Sequence, residues 1–257
     1  MKRTLALAMA TAAAVAPAVA LAPSAVAENA DSRTLRMHAD LSPVPYSKVT
    51  GSGTATVSLT GHEATVTVQA QDLLAGAPHA QHFHIEAKGV CPPASAAKER
   101  NGILSINTTD GAPFYGGIGT SLTTTGDTSP DSGLAVDRFP TGPAIDYHRT
   151  LTLSPEAAES VRAGTAVVVV HGVDVNGNGE YDDVLGESDL DPALPAEATN
   201  PALCGSLAAS PRGAVAGGLG GSQTDAAPTT AAAAAGGGLL AAALGTVLLR
   251  RRLGRQS

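Results

Sequence analysis

The sequence predicts an all-β fold, a sandwich or barrel of short strands, carried on an exported chain. Three observations point there. Several segments alternate apolar and polar residues with period two, the repeat of a strand that buries one face. Gly and Pro, at 29 and 17 residues, punctuate the chain between those segments. Helical periodicity is nearly absent, and the apolar residues are small and branched, with no Trp and only 3% aromatic residues, which suits a β core built from Val and Thr.

Residues 34–41 form the first alternating run. Residues 53–61 and 63–73 form the clearest pair and meet at Gly61-His62, which reads as a β-hairpin. Residues 81–87 give a further strand. Weaker patterns follow at 103–109, 132–139 and 146–153. Residues 154–164 carry one short helical turn. Residues 166–173, AVVVVHGV, hold a short apolar, β-branched run, the mark of a strand buried on both faces. No internal repeat is evident. These elements fill a domain at 28–209.

The two ends have other roles. Lys2 and Arg3 precede an uncharged run that closes on Ala25-Val26-Ala27, so 1–27 reads as a secretory signal peptide. Pro17 and Pro23 argue against a buried helix there. Residues 210–228, rich in Gly, Ala, Ser and Pro, read as a flexible tether. Residues 229–249 are long and apolar enough for a transmembrane helix, and the basic tail 250–257 favours a cytoplasmic C-terminus. The rival reading is a sorting tail joined to the cell wall, but no LPxTG-type motif is present. Either way the domain sits outside the membrane, at the cell surface.

Charge narrows the partners. Between the two ends lie 10 basic and 23 acidic residues, a net charge of −13. Such a surface excludes nucleic acid as a partner. Cys91 and Cys204 form an even pair in an exported chain, which reads as a disulfide. Two metal thiolates are the alternative.

The histidines carry the chemistry. His82 and His84 are two apart on a strand, so both imidazoles point to one face and can reach one ion. His171 follows the apolar run, where an imidazole is costly unless its nitrogens are bonded. His79 lies in the turn entering the strand. Imidazole-rich sites with few carboxylates favour copper or zinc; the bland alternative is a half-exposed strand face. Further on, DVNGNGEYD gives Asp174, Asn176, Asn178 and Asp182 as oxygen ligands, the first three at alternate positions, with Gly179 at the sixth, similar to an EF-hand calcium loop. Its twelfth position is Leu185 rather than a bidentate Glu, so the alternative is a solvated acidic turn. Ser and Thr residues form no nucleophile elbow or triad.

Taken in order, four motifs make the chain resemble the copper/zinc superoxide dismutase-like superfamily, and within it the CHRD (chordin-type) domain proteins of bacterial cell surfaces. HAQHFH resembles the family's His-Gly-Phe-His-x-His, GVC its first disulfide cysteine, VRAGTAVVVVHG its Val-Val-His strand and ALCGSL its second cysteine segment. The similarity spans most of 33–207. It implies a Greek-key β-sandwich, copper ligation by His82, His84 and His171, a structural role for His79 and a Cys91–Cys204 disulfide.

The departures bear on turnover. Between Cys91 and Tyr147 there is no histidine, so the bridging ligand and the family's zinc cage are missing, and zinc is not expected at that position. His148 is the one spare histidine and lies in another segment. Pro201 stands where the family has the arginine that guides superoxide. Asp174, Glu180, Asp182, Asp183, Glu187, Asp189 and Asp191 follow His171 with no intervening base, a field that repels an anion. Two expectations result: a copper-binding domain with superoxide chemistry implied by the resemblance, or a noncatalytic surface module.

Overall fold

The computed structural model describes residues 33–210. The segments expected to be a signal peptide, a tether, a membrane span and a basic tail lie outside the described residues, apart from Ser210. Among the described residues no helix is long and apolar enough to cross a membrane.

The described chain is mostly antiparallel sheet. Strands β1 (Leu35–Pro43), β2 (Ser52–Thr60) and β3 (Glu63–Gln71) form a meander that β8 (Ile145–Thr152) extends. Their alternation does what the sequence implies. Met37, Ala39 and Leu41, then Val57 and Leu59, then Val66 and Val68 turn inward and are buried. β2 and β3 pair from Ser52 opposite Gln71 to Thr60 opposite Glu63, which leaves a two-residue turn. Gly61 takes the positive φ, 56°, that the first position of such a turn needs.

The second half of the sheet contains β7 (Gly117–Ser121), β4 (Gln81–Ile85), β9 (Val167–His171) and β10 (Pro201–Ser206), in that order. β10 pairs with the end of β1, so the strands form one nine-stranded sheet, with the two-residue β11 (Ala208–Ala209) beside β1. It curls into a half-barrel, and its concave side holds the main core, where Phe83, Ile85, Val168 and Val170 meet the residues of β1–β3 and β8.

β4 and β9 are buried along their whole length. Two layers make this so. Phe83 and Val168 face the main core, while His82, His84, Val167 and Val169 face the other way. That outer face is covered too. Val44, Ile106, Tyr115, Val167, Val169 and Cys204 form a second apolar cluster there. The cover is made of loops, the hairpin of β5 (Lys98–Arg100) and β6 (Ile103–Ser105), and the helices α1 (Thr108–Tyr115) and α3 (Ala196–Thr199).

Three segments differ from the sequence expectation. Residues 103–109 are a strand only to Ser105; Asn107 then caps α1 through a capping box with Asp110. Residues 132–139 form tight turns rather than a strand. There the Asp127 carboxylate accepts from Ser129 and Ser132, and Arg138 donates to the Thr125 and Asp127 carbonyls. Residues 154–164 hold a full helix, α2 (Pro155–Ala163), with Pro155 at its first position and Gly164 left-handed at its end. The Ser154 hydroxyl accepts from the Ala157 N–H at 3.1 Å. Ser154→Ala is expected to lower stability by about 1 kcal/mol, read as a shifted urea midpoint; an unchanged midpoint would show the cap is dispensable.

Candidate metal centre

The strand ladder brings the three predicted ligands together. In the antiparallel pairing of β4 and β9, His82 lies opposite Val169 and His84 opposite Val167. The His171 N–H bonds the Ala80 carbonyl, which sets His171 one step diagonal to His82 on the same outer face. Ring centroids are 5.1 Å apart for His82 and His171, 5.6 Å for His82 and His84 and 5.7 Å for His84 and His171. All three residues are at most 2% exposed.

Each ring spends one nitrogen on a backbone carbonyl. His82 Nε2 faces the Gly133 oxygen at 3.0 Å, His84 Nδ1 the Gly116 oxygen at 3.0 Å and His171 Nδ1 the Thr199 oxygen at 2.7 Å. A carbonyl only accepts, so each facing nitrogen carries the proton and its partner carries a lone pair. Those partners are His82 Nδ1, His84 Nε2 and His171 Nε2, and all three are buried with no hydrogen-bond partner. One ring nitrogen from each of the three residues lies within 4.8 Å of the others. One ion could reach all three after ring shifts of less than about 1 Å, given a metal–imidazole bond of roughly 2.0–2.1 Å.

The surroundings oppose protons there. Burial, and then the mutual repulsion of the rings, hold His84 down to about 3 and His82 well below the ordinary imidazole value. Burial holds His171 down to about 4. Three buried lone pairs left bare are unfavourable by about 1–3 kcal/mol each. A cation that is not a proton would relieve all three. Backbone carbonyls fix every tautomer, as outer partners of metal-ligating histidines do, and the cluster could hold a metal ion.

The clamps come from three covering segments. Gly116 ends α1, Gly133 sits in the turns after β7 and Thr199 closes α3. Gly116 has φ 95°, and a Cβ there would lie 1.7 Å from the Ile85 oxygen, so only glycine brings that carbonyl to His84. Thr108 Oγ1 also donates to the Thr199 carbonyl, at 2.8 Å. Tyr115 packs on His84 with centroids 4.5 Å apart, and Phe139 meets His82 edge-on at 5.3 Å. Sequence reasoning missed Gly116, Gly133 and Thr199, because a backbone carbonyl leaves no residue signature. The glycines alone hinted at them.

The remaining predicted residues fall elsewhere. His79, fully buried, lies outside β4 with each ring nitrogen within hydrogen-bond distance of a carbonyl, Nδ1 at 2.8 Å from that of His171 and Nε2 at 3.1 Å from that of Leu74, and with the Tyr181 hydroxyl 3.3 Å from Nδ1; the tautomer decides which nitrogen donates. It pins the entry loop to the end of β9 and contributes no bare nitrogen to the cluster. His148 sits on β8 against the Thr67 hydroxyl. Cys91 and Cys204 form a disulfide with Cα atoms 5.8 Å apart, which rules out the thiolate alternative.

Asp174, Asn176, Asn178 and Asp182 do come together in one loop, whose groups satisfy one another. The Asp174 carboxylate accepts from the backbone N–H groups of Gly177, Asn178 and Gly179. The amides of Asn176 and Asn178 donate to Asp182 Oδ2. Glu197, fully buried on α3, clamps the loop by accepting from the Val175 and Asp182 N–H groups, and burial pushes its carboxyl up.

Fold and site together define a class: a disulfide-bonded, mostly β domain with a buried three-histidine cluster able to hold a metal ion. No protein-family model and no curated protein matches the chain.

Proposed function

We propose that this chain is an exported, surface-anchored copper-binding domain of the copper/zinc superoxide dismutase-like, CHRD-type kind, a Greek-key sandwich whose copper is held by His82 Nδ1, His84 Nε2 and His171 Nε2. The observation that carries the reading is a cluster of three buried histidines, each with one ring nitrogen bare and with ligand atoms within 4.8 Å of one another. Copper is favoured over softer-ligand metals by the all-imidazole donor set and by the affinity order that places Cu(II) above its neighbours. Both cysteines are consumed by their disulfide, so no thiolate competes. The disulfide also fits the oxidising side of a membrane.

Bound there, copper would supply a one-electron couple. The chain's own residues orient the rings, keep the three lone pairs free of protons and wall off water. Superoxide turnover is the activity the resemblance implies, but two features favour holding copper without turnover. Pro201, opposite His171 across the ladder, offers no cation, and the acidic loop after His171 repels anions. A noncatalytic copper module of the cell surface is therefore the preferred form of the proposal.

Copper(II) titration of the purified, disulfide-bonded protein, followed by paramagnetic resonance, tests it. One equivalent with nitrogen hyperfine structure is expected, with affinity at least about 100-fold weaker in His84→Gln. No stoichiometric copper, or equal binding by both proteins, overturns the reading.

A further inference from the structure

Beside the histidine cluster lies a cavity of about 210 Å³ that the copper reading does not use. It opens where three covering segments meet: the turn before β4, the turns at 133–139 and the stretch from Tyr181 to α3. Its walls are the apolar parts of Leu134, Val136, Phe139, Tyr181 and Leu194, with Thr199 at the α3 end. Leu134 and Val136, 37% and 38% exposed, form a rim of unusually bare aliphatic side chains.

We propose that this cavity binds a small, neutral, mostly apolar organic molecule about the size of one six-membered ring. Volume sets the size, since a cavity of about 150 Å³ suffices for benzene. The lining sets the chemistry. No lining residue is charged, so an ion entering would lose its hydration with nothing to replace it. The only two lining side chains with polar groups, Tyr181 and Thr199, already have partners. Tyr181 donates to the Pro78 carbonyl at 3.0 Å, and the Thr199 hydroxyl meets that of Ser188 at 2.7 Å. The acidic surface further disfavours anions. Phe139 and Tyr181 offer ring surfaces for stacking or edge contact.

The cavity also touches what orients the histidines. Gly133 and Thr199, whose carbonyls hold His82 and His171, both line it, and so does Phe139, the ring neighbour of His82. An occupant therefore presses on the supports of two of the three rings. That consequence rests on the copper reading; the binding itself does not.

The test uses metal-free protein and fluorobenzene, observed by fluorine resonance, with 4-fluorobenzoate as the charged counterpart. Saturable fluorobenzene binding is expected, with a dissociation constant of about 1 mM for so few atoms, and at least about tenfold weaker binding of the benzoate. Ala198→Phe, which fills the cavity from its lining, should abolish binding. If that variant does not fold, Leu134→Asp combined with Val136→Asp, on the exposed rim, should weaken binding at least about tenfold. Absence of saturation, equal binding of the two probes, or undiminished binding by a folded variant overturns the proposal. In copper-loaded protein, fluorobenzene should alter the copper resonance. Binding without that change would keep the cavity as a ligand site and break its link to the metal.

Discussion

Acidifying the metal-free protein from pH 7 to 4.5 is expected to remove several kcal/mol of folding stability, seen as a steep fall in urea midpoint. The cause is the histidine cluster. In the unfolded chain all three rings titrate near 6.5. In the folded protein His84 is held down to about 3 and His171 to about 4, and His82 also lies well below its ordinary value. The unfolded state therefore binds more protons, and stability rises with pH across this window. It is fully present above 6.5 and is lost as pH falls towards the folded values. Each ring contributes up to about 1.4 kcal/mol per pH unit, a large share of the 5–15 kcal/mol typical of a whole domain. Ordinary carboxylates titrate near or below the lower end of this window, and Glu197, pushed up by burial, changes stability in the opposite sense, so the falling limb is carried by the histidines. His84→Gln should remove one ring's share of it. A stoichiometric metal ion, which binds only the neutral rings, should move the loss to lower pH. A flat midpoint between 6.5 and 4.5, or an unchanged slope in His84→Gln, contradicts this account.

That cluster was half legible in the sequence. The His-x-His spacing reports one strand face directly, because period two is a local property. That His171 joins it depends on the register between β4 and β9, a long-range pairing that spacing alone does not encode; only the motif order suggested it. The meander β1–β3 was readable for the same local reason, with each run alternating and Gly61 marking the turn. The misread segments are those whose structure is set by side-chain to backbone bonds. Residues 132–139 look like a strand by composition, yet the Asp127 carboxylate and Arg138 wind them into turns. The helix α1 contains Gly111 and Pro113, poor helix formers, and is set by its Asn107–Asp110 cap and by the ion pairs of Asp110 with Lys98 and Arg100. The strand β7, GIGTS, offers almost no pattern, and its partner β4 supplies the order. The acidic loop shows the opposite failure. Its spacing resembled a cation site, while Glu197, the buried residue that organises it, lies 15 residues beyond Asp182 and outside the motif.

Removing the disulfide is the other large perturbation. Cys91→Ala with Cys204→Ala is expected to lower unfolding free energy by about 5 kcal/mol at pH 7.5. The bridge closes a separation of 113 residues, and a loop of that length is associated with about 4.7 kcal/mol of lost unfolded-state entropy. Packing adds to it, since Cys204 is buried in the outer cluster with Tyr115 and Val169. The loss is not local in its effect. Cys91 lies seven residues after His84, and beside it the Val90 N–H bonds the Phe114 carbonyl at 3.3 Å. Phe114 leads into Tyr115 and Gly116, which pack on and clamp His84. At the other end, Cys204 pairs across the ladder with Val169, two residues before His171. The bridge thus ties together the two strands and the helix end that hold the ligand set. Stability should fall first, and metal affinity with it, because the rings lose their fixed supports. Urea unfolding of the double variant beside the native protein, with and without dithiothreitol, separates the contributions. Reductant should destabilise the native protein nearly as much as the substitutions do and leave the variant unaffected. A loss below about 1 kcal/mol would mean that the cover over the histidines is held by its packing alone.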